Sequence, residues 1–335
     1  MTRKINNSYL LGQSNAPTTG GDMLKTRTDG TLVWEEVDGF EYINKWFGGR
    51  GIFAGVRNAR ETIEYITIST PSNTTDFGDL TDGRFNLSGC SNGSRGVFGG
   101  GYNSSNQVVT TMDYITISTP GNATDFGDLI TDPYGPGACS DGSRGIWAGG
   151  LAGDDSTHHD VIQYITISTT GNAIDFGDLT IAREYFEACS DGTKGIFPGG
   201  YAGSANGVNT IDYITISTPG NATDFGDLTD VYYGAACTSD TTRAVTGGGR
   251  KAGTQVNNIE YFTMATTGNS SDFGDLTVTR VYFSACSDGT KAVFGGGYNP
   301  AVNTMDYITI QTIGNATDFG DLSNTGRGTA AASGD

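Results

Sequence analysis

The sequence predicts an all-β fold, a six-bladed β-propeller of four-stranded blades whose ring is closed by its own C-terminal strand. Three observations predict it. The tyrosine that opens a Tyr-Ile-Thr-Ile run, or its variant, recurs at Tyr65, Tyr114, Tyr164, Tyr213, Tyr261 and Tyr307, at intervals of 49, 50, 49, 48 and 46 residues. A period near 50 belongs to propellers and solenoids, in which each unit buries its apolar face only against its neighbours. Each repeat also holds four strand-like segments separated by turn chemistry. Finally, the two ends of the chain complement one another.

Residues 1–46 share nothing with the repeat and form an N-terminal extension. Within it, Asp29-Gly30 between the runs Met23 to Thr26 and Thr31 to Trp34 is a hairpin signal. The propeller spans residues 47–335. Each repeat opens with a cation and a short apolar strand ending in glycine, as in Arg95-Gly96-Val97-Phe98-Gly99-Gly100. Glycine there marks close approach of neighbouring backbones. Tyr-Ile-Thr-Ile alternates with period two and is rich in β-branched residues, a half-buried strand. Thr-Pro-Gly-Asn-Ala-Thr is a turn, and Asp-Phe-Gly-Asp-Leu is a last strand with Phe and Leu turned inward. A variable link then leads to Ala-Cys-Ser-Asp-Gly-Thr, a strand entering a tight turn.

The closure follows from counting. Leu276 to Cys286 is ten residues, and ten residues beyond Leu322 lies Ala332, in the final Ala330-Ala331-Ala332-Ser333-Gly334. The chain therefore ends at the turn before another Arg-Gly-Ile-Phe strand, which is already present at Arg50. The first blade is expected to be composite, its innermost strand donated by the C-terminus. Such a clasp removes free sheet edges.

Composition narrows the function. Gly, at 52 of 335 residues, is about twice the ordinary share and falls at fixed repeat positions, so it is turn and packing glycine. A formal charge of −18 with no basic stripe argues against nucleic acid and anionic lipid as partners. Much of the charge is the two aspartates of the six Asp-Phe-Gly-Asp units, expected as solvated rings. No run is long and apolar enough for a membrane span, and no apolar signal core follows Met1, so the chain is expected to be made in a cytoplasm. Cys90, Cys139, Cys189, Cys237 and Cys286 stand one per repeat, at positions read as equivalent. An odd number spread over separate blades is read as buried thiols, not disulfides or a metal ring.

Strands that run alternately up and down place the first and third connections of every blade on one face and the second and fourth on the other. The first and third are nearly constant. The second and fourth differ in every repeat, and recognition on a rigid scaffold resides in such loops. That individual face carries the candidate binding residues Tyr102, Tyr134, Arg183, Tyr185, Tyr201, Tyr232, Tyr233, Tyr282 and Tyr298, with Arg84 beside them. A tyrosine offers a flat apolar plate with a hydrogen-bonding edge, suited to carbohydrate or protein; the same residues also suit packing between blades.

Other motifs are set aside. Asp-Phe-Gly in six copies, without the other kinase signatures, is repeat structure. Asn221, Asp224 and Asp227 lack the residue order of a calcium loop. His158 and His159 are adjacent, so on a strand they point to opposite faces, and a solvated loop is expected there in place of a zinc site. No cofactor and no catalytic residue is expected.

Paired glycines after an apolar strand, an aromatic-containing strand, then an aromatic and leucine followed by Arg183 or Arg280, resemble kelch repeats over about 290 residues. The fourth-strand aromatic is Phe where that family usually has Trp. Asp-Tyr-Ile-Thr-Ile, Asp-Phe-Gly-Asp-Leu and Ser-Asp-Gly-Thr also resemble kelch-like structural proteins of marine bacteriophages, and the early hairpin resembles those of phage fibre proteins. The resemblance implies a non-enzymatic virion protein in several copies per particle. Residues 1–46 would attach it to other virion proteins, and the propeller would meet host surface polysaccharide or another virion protein as a tail appendage. A capsid decoration and a cytoplasmic kelch adaptor are the alternatives. Kelch propellers also include copper oxidases, whose separated histidine ligands this chain lacks.

Overall fold

The computed structural model describes residues 22–26, 32–36, 47–203, 207–298 and 300–335, none of them helical. The chain divides into a unit of residues 1–43 and a unit of residues 44–335. In the first, Asp22–Thr26 pairs antiparallel with Leu32–Glu36, with Thr26 opposite Leu32. The Asp29-Gly30 turn lies outside the described residues.

The second unit is a β-propeller of six four-stranded antiparallel blades. In the second blade, Ser88–Ser91 lines the axis and Arg95–Gly99, Thr111–Thr116 and Thr124–Asp128 follow outward. In the first blade the axial strand is Ala330–Gly334, paired with Arg50–Val56 so that Ala332 faces Ile52. The composite blade expected from the ten-residue count is therefore present. Six apolar clusters fill the spaces between blades, each built from the facing sheets of two neighbours.

Asp-Phe-Gly-Asp acquires a mechanical meaning. The third and outer strands of every blade shift register around the Phe, so that in the second blade Met112 faces Gly127 and Asp113 faces Asp125. The skipped Phe126 is buried, and its ring meets Tyr114 edge-on at 6.0 Å. The following glycine has φ between 138° and 150° in all six blades. A Cβ there would meet the turn backbone of the next blade at 2.4–2.6 Å. That turn also presents its asparagine: Asn122 Oδ1 accepts from Asp79 N–H at 3.1 Å, and Asn172, Asn221, Asn269, Asn315 and Asn73 repeat the contact around the ring. The aspartates before the Phe are all exposed, which places charge along each outer strand edge and discourages edge-to-edge pairing. Gly177→Ala is expected to cost roughly 1–3 kcal/mol, since backbone of the next blade cannot yield to a side chain at that φ; thermal melting measures it.

The leading cation of each repeat joins blades on the constant face. Arg95 Nη1 donates to Ile167 O of the next blade at 3.0 Å while its guanidinium lies 4.3 Å over Tyr114. Arg50, Arg144, Lys194, Arg243 and Lys291 make the corresponding inter-blade bonds.

The cysteines depart from the expectation in one respect. Cys90, Cys139, Cys189 and Cys286 lie opposite Val97, Ile146, Ile196 and Val293, whereas Cys237 sits one position earlier, opposite Thr246, and Thr238 takes the equivalent place. The link before Cys237 is one residue shorter than the others, so matching it by the thiol misplaces the register. All five are buried free thiols. Cys90, Cys139 and Cys286 point their sulfurs at Gly145, Gly195 and Gly51 of the next blade, where no larger residue fits.

Candidate functional site

The second and fourth connections do meet on one face. Arg84–Phe85 pairs with Tyr102–Asn103, and single bridges join Tyr134 to Leu151, Glu184 to Tyr201, Tyr233 to Arg250 and Val281 to Tyr298. At the axis the fourth connections lock together. The N–H groups of Asn86, Gly135, Tyr185, Gly234, Tyr282 and Gly328 each donate to the carbonyl of the preceding member, closing a circle of six bonds of 2.6–2.9 Å. All six have φ between 52° and 79°.

The circle alternates. Asn86, Tyr185 and Tyr282 carry side chains, and each leans over the glycine before it: a Cβ on Gly135 would lie 2.9 Å from the Tyr185 ring, and one on Gly234 an equal distance from Tyr282. Two residues before each large member stands an arginine. Arg84, Arg183 and Arg280 are fully buried and pair with Asp113, Asp212 and Asp306 at 2.6, 2.9 and 2.7 Å. In the other three blades the aspartate is replaced by the longer Glu64, Gln163 or Glu260, bonded to local hydroxyl and backbone groups instead. The propeller is thus three two-blade units.

This geometry sorts the nine predicted site residues. Arg183 does not reach the face; its guanidinium is spent on Asp212 and on Phe197 O. Tyr232 is buried in the apolar cluster between blades, its hydroxyl accepting from Asn258 Nδ2 at 3.1 Å. The other seven gather around the axis. Tyr102 meets Tyr134 at 4.6 Å, Tyr134 meets Tyr185 at 5.4 Å, and Tyr185 meets Tyr282 at 4.6 Å across the circle. Tyr282 continues to Tyr233 at 6.3 Å, and Tyr233 to Tyr201 at 5.2 Å. Tyr298 joins through Arg327, whose guanidinium lies 5.2 Å over its ring and 5.4 Å over that of Tyr282. Tyr134 and Tyr233 are the buried floor; Tyr102, Tyr185, Tyr201 and Tyr282 are half-exposed, and Tyr298 is 42% exposed.

Beneath the circle the channel is narrow. One cavity of about 30 Å³ lies against the circle, and one of about 70 Å³ runs between the axial strands. Glu187 lines both, and burial raises its carboxyl well above the usual range. Such volumes hold a few waters, so a larger ligand must rest on the tyrosines from outside.

Reading from sequence missed Phe85, Glu184, Arg250, which is bridged to Tyr233, and Arg327. Glu184 is buried with one oxygen unpartnered, and its other oxygen lies 3.6 Å from His158 Nε2. The loop is exposed at residues 153–157, but its histidines are partly covered: His158 lies tilted beside Tyr201 at 5.8 Å and His159 turns the other way, 3.6 Å from Asp132, with side chains 19% and 16% exposed. The opposite orientation follows from strand alternation, and the burial from the bridge of Leu151 to His158. Among the described residues no three of His, Cys, Asp and Glu converge as a metal group.

Burial, reinforced by the charge of Asp155, raises the Glu184 carboxyl to about 8. Burial and the neighbouring His159 hold His158 below its ordinary value, leaving little charge to compensate. A folded-state value above the unfolded one means that stability is full below about pH 4.5 and falls as pH rises, levelling off above about 8. Glu184→Gln is expected to flatten that fall of roughly 1.4 kcal/mol per pH unit and to be the more stable protein at pH 9; urea unfolding at pH 5, 7 and 9 measures it.

The class defined by these features is the six-bladed β-propeller. No protein-family profile and no curated protein matches the sequence. Among solved structures that resemble it, one titled "Structure of YjhT" superposes with a TM-score of 0.66 at 12% identity, over 82% of this chain and 97% of that one. At such identity the likeness shows the fold alone.

Proposed function

We propose that this chain is a non-enzymatic binding protein of a bacteriophage particle, a tail appendage that presents the tyrosine face to host surface polysaccharide. The observation that carries the binding role is the gathering of seven tyrosines over a closed axis, on the one face whose connections differ between blades. Tyrosine plates with polar edges stack on sugar rings and bond their hydroxyls. The repeat wording and the N-terminal hairpin support attachment to a particle through residues 1–46, and the acidic outer edges suit exposure to solvent.

Gold-labelled antibody against the propeller, imaged on purified particles, tests the location. Label at tail or fibre ends is expected; label over the head would make the protein a capsid decoration, and unlabelled particles would remove the virion role. Tyr298→Ala, the most exposed plate, is expected to weaken adsorption of purified protein to host cells about tenfold with no change in melting.

A further inference from the structure

We infer that the ligand of this face is an anionic saccharide, its acid group held by Arg327, which lies over Tyr282, and by Arg250, which is bridged to Tyr233 next to that ring; the inference rests on the glycan-binding reading above.

Positive charge is left over on one face only. Residues 47–335 contain fourteen Lys and Arg in a chain of net charge −18. Three are buried in aspartate pairs, and six are bonded between blades on the constant face. The remaining five, Arg57, Arg60, Arg250, Lys251 and Arg327, all lie in or beside the connections of the tyrosine face. Lys251 pairs with Asp230, and Arg60 bonds Asn103 and Asn106. Among the described residues Arg57, Arg250 and Arg327 have no carboxylate within ion-pair distance.

Arg250 and Arg327 are both partly exposed. Their Nε atoms are buried, as are those of Arg84, Arg183 and Arg280, so a ligand meets them through the outer Nη groups. Arg327 is held by its faces, lying over Tyr282 and Tyr298, so the edges that donate hydrogen bonds remain available. A planar guanidinium fixed in this way matches a carboxylate or sulfate with two parallel bonds. The surrounding plates, Tyr298, Tyr282 and Tyr185, provide the stacking surface for the sugar that bears the acid.

The opposite side of the circle limits the orientation. In ring order Asp132 and Glu184 belong to the second and third links, across the axis from the fifth and sixth links with Tyr282 and Arg327. Asp132 and Asp155 there repel a second acid group, so the ligand is expected to lie with its charge toward Arg327 and its hydroxyls toward Tyr102 and Tyr201.

The test uses the full chain in affinity electrophoresis through polygalacturonate, carboxyl-reduced polygalacturonate, dextran sulfate and dextran. Retention by an acidic polymer, at least tenfold above its neutral counterpart and weakened by salt, is expected. Arg327→Gln and Arg250→Gln should each lower it about tenfold, and Arg327→Lys should restore part of it. Retention by polygalacturonate alone identifies a carboxylate ligand; retention by dextran sulfate alone identifies a sulfated one. Equal retention by charged and neutral polymers, lost in Tyr298→Ala but unchanged in Arg327→Gln, would overturn the anionic ligand while leaving a glycan face. No retention by any polymer would overturn the anionic saccharide. Melting curves of each variant separate loss of binding from loss of fold.

Discussion

Asp212→Ala will destabilise the propeller by about 3–5 kcal/mol, because it strands the Arg183 guanidinium in the apolar space between blades. Both groups are fully buried, and Asp212 also accepts from the N–H and hydroxyl of Thr180 at 3.1 and 2.6 Å. Arg183 in turn fixes the path of the link that carries Tyr185, so loosening it should reach the tyrosine face. Urea unfolding monitored by tyrosine fluorescence measures the loss. The double variant Arg183→Met/Asp212→Leu separates charge from packing: it is expected to recover most of the stability, since a buried pair replaced by apolar groups of similar volume is often neutral. If Asp212→Ala melts with the parent, the three buried pairs do not hold the links.

Removing residues 329–335 is expected to have the second large effect. The strand Ala330–Gly334 contributes five register pairs to the first blade; in an antiparallel ladder these carry about four to six backbone bonds, worth about 5 kcal/mol at roughly 1 kcal/mol each. Its loss also exposes the edge of Arg50–Val56, six of whose seven residues are buried, as a template for pairing with another chain. The truncated protein should therefore populate oligomers and lose its single cooperative melt. Adding a synthetic peptide of residues 329–335 in excess should restore monomer, as seen by light scattering; a truncated chain that stays monomeric and melts as before would show that the ring closes without the clasp.

How much of the site was legible varies residue by residue. Phe126 and Leu129 were readable as buried because the strand around them repeats six times, and repetition averages out local ambiguity. The register bulge that turns Phe126 inward was not, since alternation assumes an unbroken ladder. Arg183 looked like a surface residue because it lies in a variable link, two residues before Tyr185. Its burial depends on Asp212, 29 residues away, and no local pattern carries that pairing. The signal was present in another form: Asp113, Asp212 and Asp306 alternate with Glu64, Gln163 and Glu260 before the repeat tyrosine, in step with Arg84, Arg183 and Arg280. Aligning every second repeat, in place of every one, exposes it. Arg327 was passed over because it stands where Tyr134 and Tyr233 stand in the other glycine-bearing links.

The sequence by itself determined the number of blades, the four strands of each, the closure and the two unlike faces. These are properties of period, alternation and count, which depend on neighbours along the chain. Only the tertiary structure decided which tyrosines meet, which arginines are consumed by buried partners and which keep free donors. Closing the ring brings six links from distant parts of the chain onto one axis, and the spacing between side chains there is set by backbone bonds such as Tyr185 N–H to Gly135 O. No single repeat contains those bonds, so no reading of one repeat could contain the site.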